Sequence, residues 1–133
     1  MKQLTVFVEN RRGGLAEITR LLAGAHIDMK ALSIADTRDF GILRLIVDDA
    51  EKASGALKAA GFLVQITEVV GVKLTDEPGA LSGALEALDQ KDVNVEYLYA
   101  FLSSEPGAAA VVLRVEDNAR AAAILAGTGY TIL

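Results

Sequence analysis

The 133-residue chain has no cysteine and only one histidine, and this shortage removes whole classes of chemistry. Without thiols there are no disulfides, thiolate metal sites, iron–sulfur clusters or cysteine nucleophiles, and a reducing cytoplasm is permitted. His26 lies where a helix is expected to end, beside Ala25 and Ile27, a surface position favoured by the negative end of the helix dipole. Ser33, Ser54, Ser82, Ser103 and Ser104 have no histidine at any triad spacing, so the chain reads as non-catalytic. Aromatic residues make up 5% of the chain and the net charge is −5, which leaves few rings to stack on bases and no basic surplus to neutralise phosphates. No stretch reaches the eighteen or so apolar residues of a membrane helix, and Met1-Lys2-Gln3-Leu4-Thr5-Val6 alternates like a strand. The expectation is a soluble cytoplasmic protein with no cofactor, metal, nucleic-acid or membrane partner.

What the chain does have is a repeat. Val6-Phe7-Val8-Glu9-Asn10-Arg11-Arg12-Gly13-Gly14-Leu15 returns 66 positions later as Val72-Lys73-Leu74-Thr75-Asp76-Glu77-Pro78-Gly79-Ala80-Leu81. Val47-Asp48-Asp49 and Gly61-Phe62 return at an offset of 68 as Val115-Glu116-Asp117 and Gly129-Tyr130, which places a longer hairpin of the second copy between Phe101 and Ala108. Such a period fixes architecture before any residue is interpreted. It divides the chain into domains at 1–68 and 69–133, each near the lower size for an independent core. Apolar residues at 52% and charged residues at 23% are those of a globular protein.

Leu4, Val6 and Val8 alternate with Thr5, Phe7 and Glu9, so a strand is expected from Lys2 to Glu9. Leu15, Ile18, Leu21, Leu22 and Ala25 then follow at helical spacing. A second strand fits Met29 to Ala35, and the polar group Asp36-Thr37-Arg38-Asp39 supplies a hairpin to a third, Gly41 to Val47. Asp48 or Asp49 can cap a helix that runs to about Ala60 and stops at Gly61, with a fourth strand from Phe62. The second copy repeats the order: a helix through Leu81, Ala84, Leu85 and Leu88, strands at Val93 to Phe101 and Ala109 to Val115, and a helix over Ala119 to Leu125. Its last strand is short, Tyr130 to Leu133. The fold class is therefore α+β, two split βαββαβ units of the ferredoxin-like type with first and third strands central and both helices on one face. Nothing rich in proline, glycine or serine separates the copies, since Leu63 to Leu74 reads as one strand passing into the next near Gly71.

Asp48-Asp49-Ala50-Glu51 and Glu116-Asp117 look like paired carboxylates, but both stand at the start of a helix, where capping explains them. The strand-to-helix turns carry a different chemistry. At Gly13-Gly14-Leu15 and Gly79-Ala80-Leu81 the first amides of a helix are free and small residues allow close approach, an arrangement that holds a carboxylate. Before each turn stands a short oxygen-bearing side chain, Asn10 or Asp76, and another begins the second strand, Asp28 or Asn94. Amides for a carboxylate beside oxygens for an ammonium describe a receptor for a free α-amino acid.

The run Asn10-Arg11-Arg12-Gly13-Gly14-Leu15 followed by Ile27-Asp28-Met29, and the run Asp76-Glu77-Pro78-Gly79-Ala80-Leu81 followed by Val93-Asn94-Val95, resemble the signature of the ACT domain. Asp39-Phe40-Gly41-Ile42-Leu43-Arg44 and Val69-Val70-Gly71 extend the resemblance to small stand-alone proteins with two ACT domains in tandem. The resemblance implies βαββαβ units whose sheets pair side by side, an amino acid bound between units, and regulation of a separate metabolic enzyme. Carried over by position, Asn10 would face Asn94 and Asp76 would face Asp28, within the chain or across a homodimer. Arg12 stands where the family usually has proline, and Asp28 where it usually has asparagine.

The expected ligand contacts are Asn10, Arg11, Gly13, Gly14, Leu15 and Asp28 in the first copy, and Asp76, Gly79, Ala80, Leu81 and Asn94 in the second. The copies diverge in charge, Arg11-Arg12 against Asp76-Glu77. The first pocket should therefore favour the carboxylate end of a ligand and the second the ammonium end or a basic side chain. A competing reading is an adaptor that dimerises or docks a partner through its sheet edges and has lost its ligand.

Overall fold

The computed structural model describes residues 1–36, 38–102 and 105–133. Chain order is β1 (Lys2–Glu9), α1 (Gly14–Gly24), β2 (Met29–Asp36), β3 (Phe40–Val47), α2 (Ala50–Ala59), β4 (Val64–Glu68), β5 (Val70–Thr75), α3 (Ala80–Asp89), β6 (Val95–Phe101), β7 (Ala108–Val115), α4 (Asn118–Gly127) and β8 (Thr131–Ile132). The chain divides into an N-terminal unit, Lys2–Thr67, and a C-terminal unit, Glu68–Leu133 together with Met1. Each contains one four-stranded antiparallel sheet, ordered β2-β3-β1-β4 and β6-β7-β5-β8, with the first and third strands of each copy central. Thr37, in the first hairpin, and Ser103 and Ser104, in the longer second one, lie outside the described residues.

Alternation along the strands decides where the helices lie. In the N-terminal unit Leu4, Val6 and Val8 pair with Leu45, Leu43 and Gly41, so these residues share one face of the sheet. Ile18 and Leu22 of α1 and Ala53 and Leu57 of α2 are buried in the same cluster, which places both helices on that face. Val70, Val72 and Leu74 with Leu113 and Val111 play this part in the C-terminal unit, against Ala84, Leu88, Ala121 and Leu125. Each fully buried leucine contributes about 2 kcal/mol of transfer free energy.

The helix ends follow a rule of their own. All four close with a residue in the left-handed region followed by an amide bonded five residues back: Ile27 to Leu22, Phe62 to Leu57, Val93 to Leu88 and Tyr130 to Leu125. Gly61 and Gly129 occupy that position at φ 92° and 95°, but His26 and Asp92 do so with side chains, both at φ 58°. His26 is thus fixed by its backbone turn rather than by the helix dipole alone. The same turns explain two shifted boundaries. β6 starts at Val95 rather than Val93, and β4 at Val64 rather than Phe62, because Val93 and Phe62 spend their amides closing a helix. A register irregularity follows at the same place in both copies, between Met29 and Ala31 and between Val95 and Tyr97.

The N-termini divide into two kinds. Asp49 and Asp117 cap α2 and α4, each accepting from the amide three residues on, Lys52 and Arg120, at 3.0 Å. Helices α1 and α3 begin instead at Gly13 and Gly79, at φ 84° and 91°, without a side-chain cap. Replacing Asp49 or Asp117 by alanine should cost about 1 kcal/mol in denaturant unfolding. His26→Gly and Asp92→Gly should each raise stability by up to about 1 kcal/mol, because glycine enters the left-handed region without the steric penalty of a β-carbon.

Candidate functional site

The turn from β1 into α1 is built tightly. A β-carbon on Gly14 would lie 3.1 Å from the Glu9 carbonyl oxygen and 3.2 Å from Val8 Cγ1, so the helix start is pressed against the end of the strand. The Gly14 amide is already spent on the Arg11 carbonyl at 3.2 Å, and the Ala80 amide on the Glu77 carbonyl at the same distance. These two are not free donors, in contrast to the sequence expectation. Intrahelical bonding resumes only at Glu17 and Gly83, which bond the carbonyls of Gly13 and Gly79. Within each first helix, the amides left without a partner among the described residues are those of Leu15 and Ala16, and of Leu81 and Ser82. Each first helix thus presents two adjacent donors at its positive end.

Asn10 is held for acceptance. Its backbone amide donates to the Asp39 carbonyl at 3.0 Å and its side-chain amide donates to the Arg38 carbonyl at 3.3 Å, and Oδ1 has no partner among the described residues. Asp76 is anchored alike, its backbone amide on the Gly107 carbonyl at 3.0 Å, and its carboxylate has no partner among the described residues. Asn10, Arg11 and Leu15 line a cavity of about 90 Å³ with Ile34, Asp36 and Gly41. Gly13 is not among its walls.

Arg11 does not extend toward that cavity as a free cation. Its guanidinium pairs with Glu17 at 3.0 Å and with Glu9 at 3.4 Å, which neutralises the charge expected to attract a carboxylate. These three side chains border a second cleft of about 370 Å³, on whose wall stand Phe7, Phe40, Phe62 and Leu63. The Phe7 and Phe40 rings lie 6.5 Å apart and inclined at 59°. The sequence reading missed this cleft. Its only signal is an aromatic residue at an outward position of β1 and another at the first position of β3.

Asp28 and Asn94 lie at the far ends of the first helices. Eleven residues of α1 span about 16 Å, so no cavity of one unit joins Asn10 to Asp28. Asp28 donates its amide to Asp48 Oδ1 at 3.0 Å and pairs through its carboxylate with Lys30. The Asp28 hydrogen bond and charge hold Lys30 above its usual range. Asn94 is exposed, has no hydrogen-bond partner among the described residues, and borders a groove of about 390 Å³ with Leu85, Asp89 and Asp92. Leu81 and Leu85 line a neighbouring groove along α3. Among the described residues no three metal-binding side chains come together, and no helix is long and apolar enough to cross a membrane.

Comparison with known proteins agrees with this architecture. A family model described as an ACT domain pair matches residues 1–130. The crystal structure of protein BT0572 from Bacteroides thetaiotaomicron is 42% identical, with a TM-score of 0.92 over 99% of this chain and 90% of that one. The ligand-free regulatory subunit of aspartate kinase from Thermus thermophilus shares the fold at 15% identity, with a TM-score of 0.72 over 96% and 92% of the two chains. Its counterpart from Thermus flavus does so at 15% and 0.65, over 95% and 90%. No curated protein matches the sequence. Two copies of one βαββαβ unit, each opening its first helix at a glycine turn, together with these matches, show that the chain belongs to the ACT domain family as a domain pair.

Proposed function

We propose that this ACT domain pair is a non-catalytic regulatory module of the cytoplasm that binds a free amino acid and passes its occupancy to a separate enzyme of amino-acid metabolism. The observation that carries the reading is the contrast between the two kinds of helix start. Asp49 and Asp117 close α2 and α4 from within, whereas α1 and α3 keep paired amides open next to an oxygen acceptor, Asn10 or Asp76. Amides at a helix start bind a carboxylate, and an amide or carboxylate oxygen accepts from an ammonium. The shared fold of the Thermus aspartate kinase regulatory subunits supports an enzyme as the recipient.

The two sites differ in what they add to that common core. In the first, the neutral Asn10 acceptor and the internally paired Arg11 leave the helix amides as the main attraction for a ligand carboxylate. In the second, Asp76, whose carboxylate has no partner among the described residues, favours the ammonium end or a basic side chain. The proposed contacts remain those expected from sequence, with the amides of Leu15, Ala16, Leu81 and Ser82 as the helix donors. Because Asn10 and Asp28, like Asp76 and Asn94, lie at opposite ends of a helix, a ligand touching both kinds of residue requires two units, in one chain or across a homodimer.

Titration calorimetry with each of the twenty amino acids should find one class that binds, and that ligand at a hundred times its Kd should raise stability by about 2.7 kcal/mol. Asn10→Ala and Asn94→Ala should each weaken binding about tenfold or more, the loss of a charge-assisted hydrogen bond. Unchanged affinity in both variants refutes the assignment. A melting temperature that no amino acid moves favours the adaptor instead.

A further inference from the structure

The aromatic cleft of the first copy has walls that include neither Asn10 nor Leu15. It is a second cavity, sharing only Val8, Glu9 and Arg11 with the one at Asn10. The Phe7 amide donates to the Leu63 carbonyl at 3.2 Å, which ties the end of β1 to the approach to β4 along the cleft. Phe7, Phe40 and Leu63 border it while 42%, 44% and 71% exposed, three large apolar side chains gathered in water. A cluster of this kind rimmed by charged groups marks an interaction site. The cavity of about 370 Å³ is also large enough for a small molecule, whose pockets run from about 300 to 1,000 Å³.

The second copy shows the same place filled. Strand pairing sets Glu9 opposite Phe40 and Thr75 opposite Ala108, so Phe40 and Ala108 correspond. By the repeat, Lys73 stands for Phe7, Thr131 for Leu63, Gly83 for Glu17 and Tyr130 for Phe62. Phe7, Phe40 and Leu63 are thus replaced by polar or small residues. The Tyr130 hydroxyl donates to the Ala80 carbonyl at 3.5 Å, and a β-carbon on Gly83 would come within 2.6 Å of that hydroxyl. Tyrosine and glycine therefore go together at these two positions. The first copy carries the opposite pair, Phe62 without a hydroxyl and Glu17 with a long side chain, and its cleft is open.

The charge of the walls decides what the open cleft receives. Glu9 and Glu17 share one guanidinium, that of Arg11, at 3.4 Å and 3.0 Å, so two carboxylates face one cation and a negative charge is left over. An entering anion would have to draw Arg11 away from both. The faces of the phenylalanine rings are negative as well, and they attract cations. We propose that this cleft binds a small organic cation with an apolar body, of the arylalkylamine class, its ammonium beside Glu9 and Glu17 and its body against Phe7, Phe40, Phe62 and Leu63. The proposal stands apart from the amino-acid reading, because such a ligand needs no carboxylate and no contact with Asn10.

Three probes share one ring and differ in charge: 2-phenylethylamine is a cation, 3-phenylpropionate an anion and phenylalanine both. In titrations of the full chain followed by NMR, 2-phenylethylamine should shift the signals of Phe7 and Leu63 and bind at least about tenfold more tightly than 3-phenylpropionate. Glu17→Gln, which keeps the shape and removes a charge, should weaken the amine about fivefold. Glu17→Gly combined with Phe62→Tyr copies the filled arrangement of the second unit and should abolish binding while circular dichroism stays that of the folded chain. No binding of the amine, a preference for 3-phenylpropionate, or phenylalanine bound more tightly than the amine at these residues would overturn the proposal. So would full amine binding by the double variant, or, if that variant fails to fold, unchanged affinity in Glu17→Gln. A chain that binds the amine at Phe7 and Leu63 but binds no amino acid would refute the ligand reading and leave this site intact.

Discussion

A helix must satisfy its first amides or present them, and in this protein that choice is made by one residue per helix. Asp49 and Asp117 supply an acceptor and close α2 and α4. Gly13 and Gly79 supply none, because the chain has to reverse from a central strand into a helix through the left-handed region, where a side chain is costly. The rest of the site follows from that reversal. It presses Gly14 onto the end of β1, draws the Gly14 and Ala80 amides into the turn, and leaves the next two amides without a partner among the described residues.

Most of the fold could be read from the sequence because its determinants are local and repeated. Alternation in Leu4, Val6 and Val8, helical spacing in Ile18 and Leu22, and the aspartates before α2 and α4 each state their element directly. What escaped depended on contacts distant in sequence or on unusual backbone. Asp92 takes a left-handed turn that sequence rules reserve for glycine, so the start of β6 was placed two residues early. Arg11 reaches Glu17 across the start of the helix, six residues away, outside the spacings at which helical ion pairs are sought. That the Gly14 and Ala80 amides are bonded inside their turns was not legible, because bonds within a turn depend on its torsions. The aromatic cleft went unread because Phe7 occupies a position that alternation assigns to solvent.

The two copies keep the same backbone devices and vary what decorates them. The irregularity at the start of the second strand recurs at Lys30 and at Glu96, with opposite charge. Asn10 and Asp76 are fastened by the same backbone bond to the neighbouring hairpin, yet differ in charge. The first unit pairs Asp28 with Lys30, whereas Asn94 of the second has no partner among the described residues. The shared architecture and the differing charges thus stand at separate positions, so these surface residues can change without disturbing the core.

The unbonded amides of Leu15, Ala16, Leu81 and Ser82 also set a local clock. Their protons should exchange with solvent faster than those of Lys52 and Arg120, the capped counterparts in α2 and α4, whose amides are held by an aspartate. Within each repeat one helix start is therefore a built-in reference for the other. Occupancy of a glycine turn would be written in deuterium at two adjacent residues, copy by copy, whatever the identity of the molecule that settles there.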